Sequence, residues 1–315
     1  MSRASHRHPS RLLPLRLAAL LLAAMTLACA APRNPPGAGD TVERRAGAAR
    51  TRSSNPLTVM SFNIRYGTAR DGDNAWEHRR DAVVAVIESF RVHVLGVQEA
   101  LHFQLEELVA ALPQYRRIGV GRDDGRQAGE YAAILVDGNR IDVLEEGTFW
   151  FSDTPDAPAS ASWGNDIPRI CTWARLREGT SGATFYLYNV HWDHVSQSSR
   201  ERSAALLLET IAGRAEPGDP VLVTGDFNAG ERNPAFARLL EPGAAPLTDT
   251  FREVHPEATE VGTFNGFEGT ITGDKIDAVL ASTHWQVLAA DIVRTAYAGH
   301  YPSDHFPVVA TLVLR

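Results

Sequence analysis

Val221-Leu222-Val223-Thr224-Gly225-Asp226-Phe227-Asn228 is a short apolar run that ends on an acid and an amide two residues apart. Residues spaced by two at a strand end point to the same side of a sheet. A second stretch, Ser303-Asp304-His305, stands just before the apolar run Phe306 to Leu314. A carboxylate beside an imidazole at a strand edge supplies one metal ligand and one proton acceptor. Together the two stretches point to metal-assisted hydrolysis of a phosphate ester.

Outward from these segments the chain alternates strands and helices. Strands are expected over Leu57 to Ile64, Val92 to Val97, Tyr131 to Val136, Ile170 to Leu176 and Phe185 to Val190. They continue over Val221 to Thr224, Ile276 to Ser282, Trp285 to Ile292 and Phe306 to Leu314. Helical spacing of Val83, Val84, Val86, Ile87 and Phe90 marks a helix over Asp81 to Phe90. Leu101 to Leu112 reads as a helix too, as does the stretch carrying Ala204, Leu207, Leu208 and Ile211. Many short strands with few helices imply two sheets packed face to face with helices outside. No Pro/Gly linker divides residues 56–315, so they are expected to form one catalytic domain and a monomer.

The 315 residues carry a formal net charge of −7. Residues 1–30 hold four arginines and no acid, which leaves 27 basic against 38 acidic side chains, or −11, in the remainder. Tight sequence-independent binding of a polyanion depends on basic residues that displace counterions. Nucleic acid is therefore a possible but not a favoured partner. Arg3 to Arg16 followed by the apolar Leu17 to Ala31, with Ala28-Cys29-Ala30 at the end, reads as a signal peptide over residues 1–30. Thr26-Leu27-Ala28-Cys29 loosely follows a lipoprotein signal, so a lipid on Cys29 is an open alternative to plain secretion. Residues 31–55 read as a flexible linker. The expected location is exported, periplasmic or extracellular. Cys171 is the one cysteine beyond the signal, so that domain contains no disulfide.

Polar residues recur where strands end: Asn63, Glu99, His191 and His194, Asp226 and Asn228, Asp277, then Asp304 and His305. Converging strand ends are where a sheet-built enzyme gathers its site. Glu99 and Asp304 offer the oxygen ligands that Mg²⁺ takes. A cation offsets the negative charge of a phosphate ester and the charge that develops as the ester is attacked. A His oriented by a buried Asp accepts the proton of the attacking water. His305 with Asp277 fits that pair, and Asp226 could also position the water. Asn63 and Asn228 offer amides for phosphate oxygens or metal-bound water. His191 and His194, if protonated, donate to the phosphate or the leaving oxygen.

Asn63 in its strand, Gln98-Glu99, Asn189-Val190-His191, Gly225-Asp226-Phe227-Asn228, Ile276-Asp277 and Ser303-Asp304-His305 resemble, in order, the motifs of the endonuclease/exonuclease/phosphatase superfamily. The chain is most similar to its small exported bacterial members. The resemblance implies a four-layer α/β sandwich of two packed mixed sheets flanked by helices, and phosphoester hydrolysis dependent on Mg²⁺ or Mn²⁺. It implies Glu99, Asp304 and Asn63 as metal ligands and Asp226 acting on the nucleophilic water. Asn228 falls on metal or phosphate, Asp277 on His305, and His191 on the phosphate. Asp193 and His194 are implied as additional site residues, and either residue could equally help to order the start of the following helix.

Phe149 to Trp173 reads as a long loop across one sheet edge. Trp163 and Arg169 are its candidates for substrate contact, Arg being suited to bidentate phosphate binding. The expected function is an exported phosphodiesterase or phosphatase for a small, carbohydrate- or lipid-linked phosphate. The alternative is a secreted nuclease that shares the site.

Overall fold

The computed structural model describes residues 55–243, 246–297 and 299–315, and residues 51–315 form one compact unit. The expected signal peptide, the lipid site at Cys29 and all but the last residue of the expected linker lie outside the described residues. The first half of the chain runs β1 (Leu57–Asn63), α1 (Trp76–Ser89), β2 (Val94–Ala100), α2 (His102–Ala111), β3 (Tyr115–Ile118), β4 (Tyr131–Asp137) and β5 (Ile141–Trp150). The second half begins with β6 (Ile170–Glu178), β7 (Thr184–His191), α3 (Gln197–Ala212), β8 (Val221–Asp226) and α4 (Pro234–Leu239). It ends with β9 (Leu247–Asp249), α5 (Thr250–Val254), β10 (Asp277–Ser282), β11 (Trp285–Ile292) and β12 (Val308–Leu314). No helix among the described residues is long and apolar enough to cross a membrane.

The strands form two six-stranded sheets, ordered β11-β12-β1-β2-β4-β3 and β5-β6-β7-β8-β10-β9. Each is mixed: β1 with β2 and β7 with β8 are parallel pairs joined through α1 and α3, and the other pairings are antiparallel. Strand residues alternate between faces. On the inner faces Val59, Val94, Ile134, Leu187, Leu222 and Val279 pack between the sheets. On the outer face of the first sheet Met60, Phe62 and Leu95 meet Val83, Val86, Leu105 and Leu108 of α1 and α2. On the outer face of the second, Tyr188, Val221 and Val223 meet Leu207, Ile211 and Phe236 of α3 and α4. Helix, sheet, sheet and helix form the four-layer α/β sandwich that the motifs implied.

Towards one end of the seam the inner faces change from apolar to polar within the same strands. On β7, Leu187 is followed two residues on by Asn189 and then His191; on β8, Leu222 is followed by Thr224 and Asp226; on β1, Val59 is followed by Ser61 and Asn63. Asn189 ties the middle of this ramp. Its Nδ2 donates to Val97 O (3.0 Å) and Ala133 O (2.8 Å) of the opposite sheet. Its Oδ1 accepts from Gln98 Nε2 (2.7 Å) and Thr224 Oγ1 (3.1 Å). All four hydrogen-bonding positions of the amide are filled, as burial demands. Gly96 permits this close approach, since a Cβ there would lie 2.1 Å from Thr224 Oγ1 and 2.6 Å from Asn189 Oδ1.

The long loop expected from Phe149 is shorter, because β5 extends through Trp150. Its outer positions are charged and pair across to β6, Arg175 with Glu145 and Arg177 with Asp142. Ion pairs along an edge strand give no apolar alternation to read. α1 begins at Trp76, earlier than expected, and Arg79 is buried in its first turns. The short β3, α4, β9 and α5 were likewise unmarked by apolar periodicity. Cys171 is a free buried thiol.

Gly96→Ala is expected to force the seam apart and to destabilise the fold by about 1–3 kcal/mol, the usual cost of overpacking a filled interior. Chemical denaturation of the variant against wild type measures it.

Candidate active site

The polar end of the seam opens into a cavity of about 600 Å³. Its lining includes Glu99, Asp226, Asn228, Asp304 and His305, with Arg122, Glu130, Arg169, His191 and His194. Most of these side chains stand at or within a few residues of a strand end, and Arg122 comes from the loop between β3 and β4. In the second sheet Asp226 lies in register with His191 on one side and Asp277 on the other. In the first sheet the β2–β4 register shifts between Val97 and Ala100, and within that bulge Glu99 takes φ of 60°. Asn228 and Arg65 also stand at positive φ, 46° and 59°. Left-handed backbone at non-glycine residues is costly and gathers at functional sites.

Asn63 joins the sheets at this end. Its Nδ2 donates to Glu99 Oε1 at 3.0 Å and to Asp226 Oδ2 at 2.9 Å, one carboxylate from each sheet. Its Oδ1 accepts the Arg65 backbone N–H at 3.0 Å. The sequence suggested Asn63 as a metal ligand; here its oxygen accepts a backbone N–H and the amide serves as a clamp on two carboxylates. Tyr66 N–H supports Glu99 Oε2 at 3.2 Å. Arg79 donates to the carbonyls of Ile64, Arg65, Asn74 and Pro302, and so fastens the loop before Asp304 to the end of β1.

Glu99, Asp226 and His305 each bring one ligand atom within 4.8 Å of the others. Asp304 lines the same cavity, where burial, and then the charge of Glu99 against the attraction of His305, raises its carboxyl above the usual range. Carboxylates with one imidazole are the donors of a hard divalent cation such as Mg²⁺ or Mn²⁺. The residues fit such an ion: Glu99, Asp226 and His305 offer ligand atoms at one point, and Asp304 lines the same cavity.

His305 Nδ1 is bonded to Asp277 Oδ2 at 2.9 Å, and its Nε2 lies 3.9 Å from Asp226 Oδ2. Burial opposes the imidazolium, yet Asp277 and Asp226 outweigh it and hold the pKa of His305 well above the ordinary histidine value. Asp226 is pushed up to about 7 by burial and by Asp277, against the pull of His305. Asn228 completes this corner: its N–H donates to Asp226 Oδ1 (2.9 Å) and its Nδ2 to Trp192 O (3.0 Å).

Arginine stands next to this corner, where His191 Nε2 lies 3.7 Å from Asp226 Oδ2. Arg169 is 3% exposed, and its guanidinium donates to His191 Nε2 (3.1 Å), His194 Nδ1 (2.8 Å) and Asp193 Oδ2 (3.4 Å). Arginine has donors only, so each of those ring nitrogens accepts. Burial, then the charges of Arg169 and Arg122, drives the pKa of His191 well below the ordinary value. The reading of His191 as a protonated donor is therefore corrected: it is a neutral acceptor, and Arg169 carries the positive charge. Asp193 anchors Arg169 and accepts from Val195 and Ser196 N–H at the start of α3. Trp163 is not among the residues that line the cavity; its indole N–H donates to Asp153 Oδ1 at 2.7 Å and the ring stacks with Arg202.

Glu130 and Arg122 escaped the sequence reading. Glu130 accepts from Arg122 Nη2 at 2.7 Å, and its Oε2 is 3.7 Å from His191 Nδ1. Glu130 precedes β4, which runs antiparallel to β2, so the beginning of β4 reaches the edge where β2 finishes. Searching for polar residues at the ends of strands skips such a position; Gly129-Glu130 directly before an apolar run was the available signal.

Residues 60–305 match the model of the endonuclease/exonuclease/phosphatase family. The uncharacterized protein L388 of Acanthamoeba polyphaga mimivirus is 30% identical over 271 residues, which is 80% of this chain and 98% of the relative. An endonuclease/exonuclease/phosphatase structure from Bacteroides vulgatus is 32% identical with a TM-score of 0.77, over 83% of this chain and all of that one (100%). A mannosyl-6-phosphatase structure from Bacteroides thetaiotaomicron is 32% identical with a TM-score of 0.76, over 82% of this chain and 100% of its own. The chain belongs to the endonuclease/exonuclease/phosphatase family. It is a phosphoester hydrolase of the divalent-metal-dependent kind.

Burial, and then Glu99 against the attraction of Arg122, pushes the carboxyl of Glu130 up to about 7, from the ordinary 4.5. Between those values the folded chain binds a proton that the unfolded chain has lost, so this group makes stability fall as pH rises from 4.5 to 7. Glu130→Gln is expected to match wild type near the lower limit and to exceed it above the upper by up to about 3 kcal/mol. Thermal unfolding in chelator across that range measures the difference.

Proposed function

We propose that this chain is an exported phosphatase that removes phosphate from small carbohydrate-linked monoesters. The observation that carries the reading is the buried Arg169 clamp beside the carboxylate cluster, both lining a cavity of about 600 Å³. A terminal phosphate fits between a fixed guanidinium and a cation-binding group of acids, because guanidinium pairs with two phosphate oxygens at once. The acidic composition speaks against a polyanion as substrate. The similar mannosyl-6-phosphatase supports a sugar phosphate. Export rests on the basic and apolar pattern of residues 1–31.

A divalent ion held by Glu99, Asp304 and Asp226 would supply electrostatic stabilisation of the phosphate's developing charge. The chain supplies the rest. Arg169 orients the phosphate, and Asp193 with its backbone donors keeps Arg169 in place. The attacking water loses its proton to the Asp226 carboxylate, beside the His305 imidazolium that Asp277 fixes through Nδ1. Water oxygen bonds to phosphorus, the ester P–O bond breaks, and the leaving alkoxide takes a proton from solvent as inorganic phosphate is released.

The test is a panel of sugar phosphates, glycerophosphodiesters, plasmid DNA and RNA, assayed with pure protein and Mg²⁺ or Mn²⁺. Sugar phosphates are expected to be the best substrates. Asp277→Asn is expected to lower kcat on them by about 10²–10⁴-fold, the usual worth of an oriented acid–base group. Faster degradation of plasmid or RNA than of any monoester would replace this reading with a nuclease.

A further inference from the structure

One aromatic ring at the cavity has no part in the chemistry so far described. Phe264 lines the cavity and is 52% exposed. Its ring stands edge-on to His305, with centroids 5.2 Å apart at 73°. An exposed ring on a loose loop would mean little, but this backbone is fastened on both sides. Phe264 forms a β-bridge with His305. Phe306 N–H donates to Thr263 O (2.7 Å), and Asn265 N–H donates to Asp304 O (2.7 Å). Asn265 Nδ2 reaches Ser303 O (3.2 Å), and Asn265 Oδ1 accepts Phe267 N–H (2.8 Å). Thr263 Oγ1, fully buried, accepts from Ile276 and Asp277 N–H. Asn265 is thus the bracket of the loop, and Phe264 is the residue it presents.

The same cavity has an aliphatic counterpart. Ile167 lines it from the loop before Arg169, with its carbonyl tied to Asn165 Nδ2 at 2.7 Å. The lining therefore joins charged groups that suit a phosphate to apolar side chains, among them Phe264 and Ile167 on fixed backbone. An ester with a polar phosphate and a compact body of part-apolar faces matches both.

We propose that Phe264, with Ile167, is the specificity-determining contact for the organic part of the substrate, and that it packs on the apolar face of a carbohydrate ring. The inference rests on the phosphatase reading above and adds to it the residue that selects the leaving alcohol. Tyr66 also lines the cavity, but Arg65 stands over its ring, which leaves exposed Phe264 with its aliphatic partner to meet the C–H face of a sugar. Single-stranded nucleic acid is instead bound by successive stacking platforms in a basic groove.

The experiment compares wild type, Phe264→Ala and Phe264→Trp on a hexose 6-phosphate and on glycerol 3-phosphate, an acyclic ester. Phe264→Ala is expected to raise KM for the hexose ester by about 3- to 10-fold, the worth of one aromatic contact. Its KM for glycerol 3-phosphate and its kcat on both are expected to stay within about twofold, since that substrate presents no ring face. Phe264→Trp is expected to restore the hexose KM. An equal loss on both esters, or a fall in kcat alone, would show that the ring serves His305 and would overturn the proposal. An unchanged hexose KM in Phe264→Ala would overturn it too, while leaving the phosphatase reading intact. Wild type that turns over neither ester would sink both.

Discussion

Two carboxylates from different sheets are held side by side, at the mouth of an apolar seam, by the amide of Asn63. Like charges at that separation in a poorly solvated place repel strongly. The fold accepts this arrangement because a third party of opposite charge belongs there. The rest of the structure follows from bringing Glu99 and Asp226 together. Gly96 lets the sheets approach, Asn189 fastens them, and the bulge at Glu99 turns its carboxylate towards the opposite sheet. Arg65, Glu99 and Asn228 stand at positive φ at this end, while the parallel pairs β1–β2 and β7–β8 keep regular register along an apolar seam.

The ramp along the inner faces links folding to function. The same alternation that packs Val59, Leu187 and Leu222 into the core sends Asn63, His191 and Asp226 out at its edge. A register slip of one residue on any of these strands would move its core residues and its site residue together to the wrong face. Correct pairing of the seam is thus also correct assembly of the site. Both charges meet at the cavity. Glu99, Asp226 and Asp304 stand with His305, and Arg169 and Arg122 stand with a neutral His191 that lies beside Asp226.

The architecture and the acidic wall were largely legible in the sequence. Acids, amides and imidazoles at either end of apolar runs identified Glu99, Asp226 and Asn228 after such runs and Asp277, Asp304 and His305 at or before their start, and the structure brings them to one cavity or into contact with it. The charge state of His191 was not legible, because it depends on Arg169 and Arg122, which arrive from loops far off in the chain. The orientation of the Asn63 amide was hidden for a similar reason, since a backbone N–H two residues on takes its oxygen. Glu130 was missed because it begins an antiparallel strand. Trp163 was misjudged because loop aromatics announce no direction, and Phe264 was passed over beside a turn-forming asparagine. β5 was hidden by its cross-strand ion pairs.

The account stands on a cation shared by acids from both sheets. Calorimetric titration of the metal-free protein with Mn²⁺, for wild type and for Glu99→Gln, tests this most directly. Saturable binding by wild type that is lost or greatly weakened in the variant is the expected result. Equal binding by both proteins, or none by wild type, would contradict it.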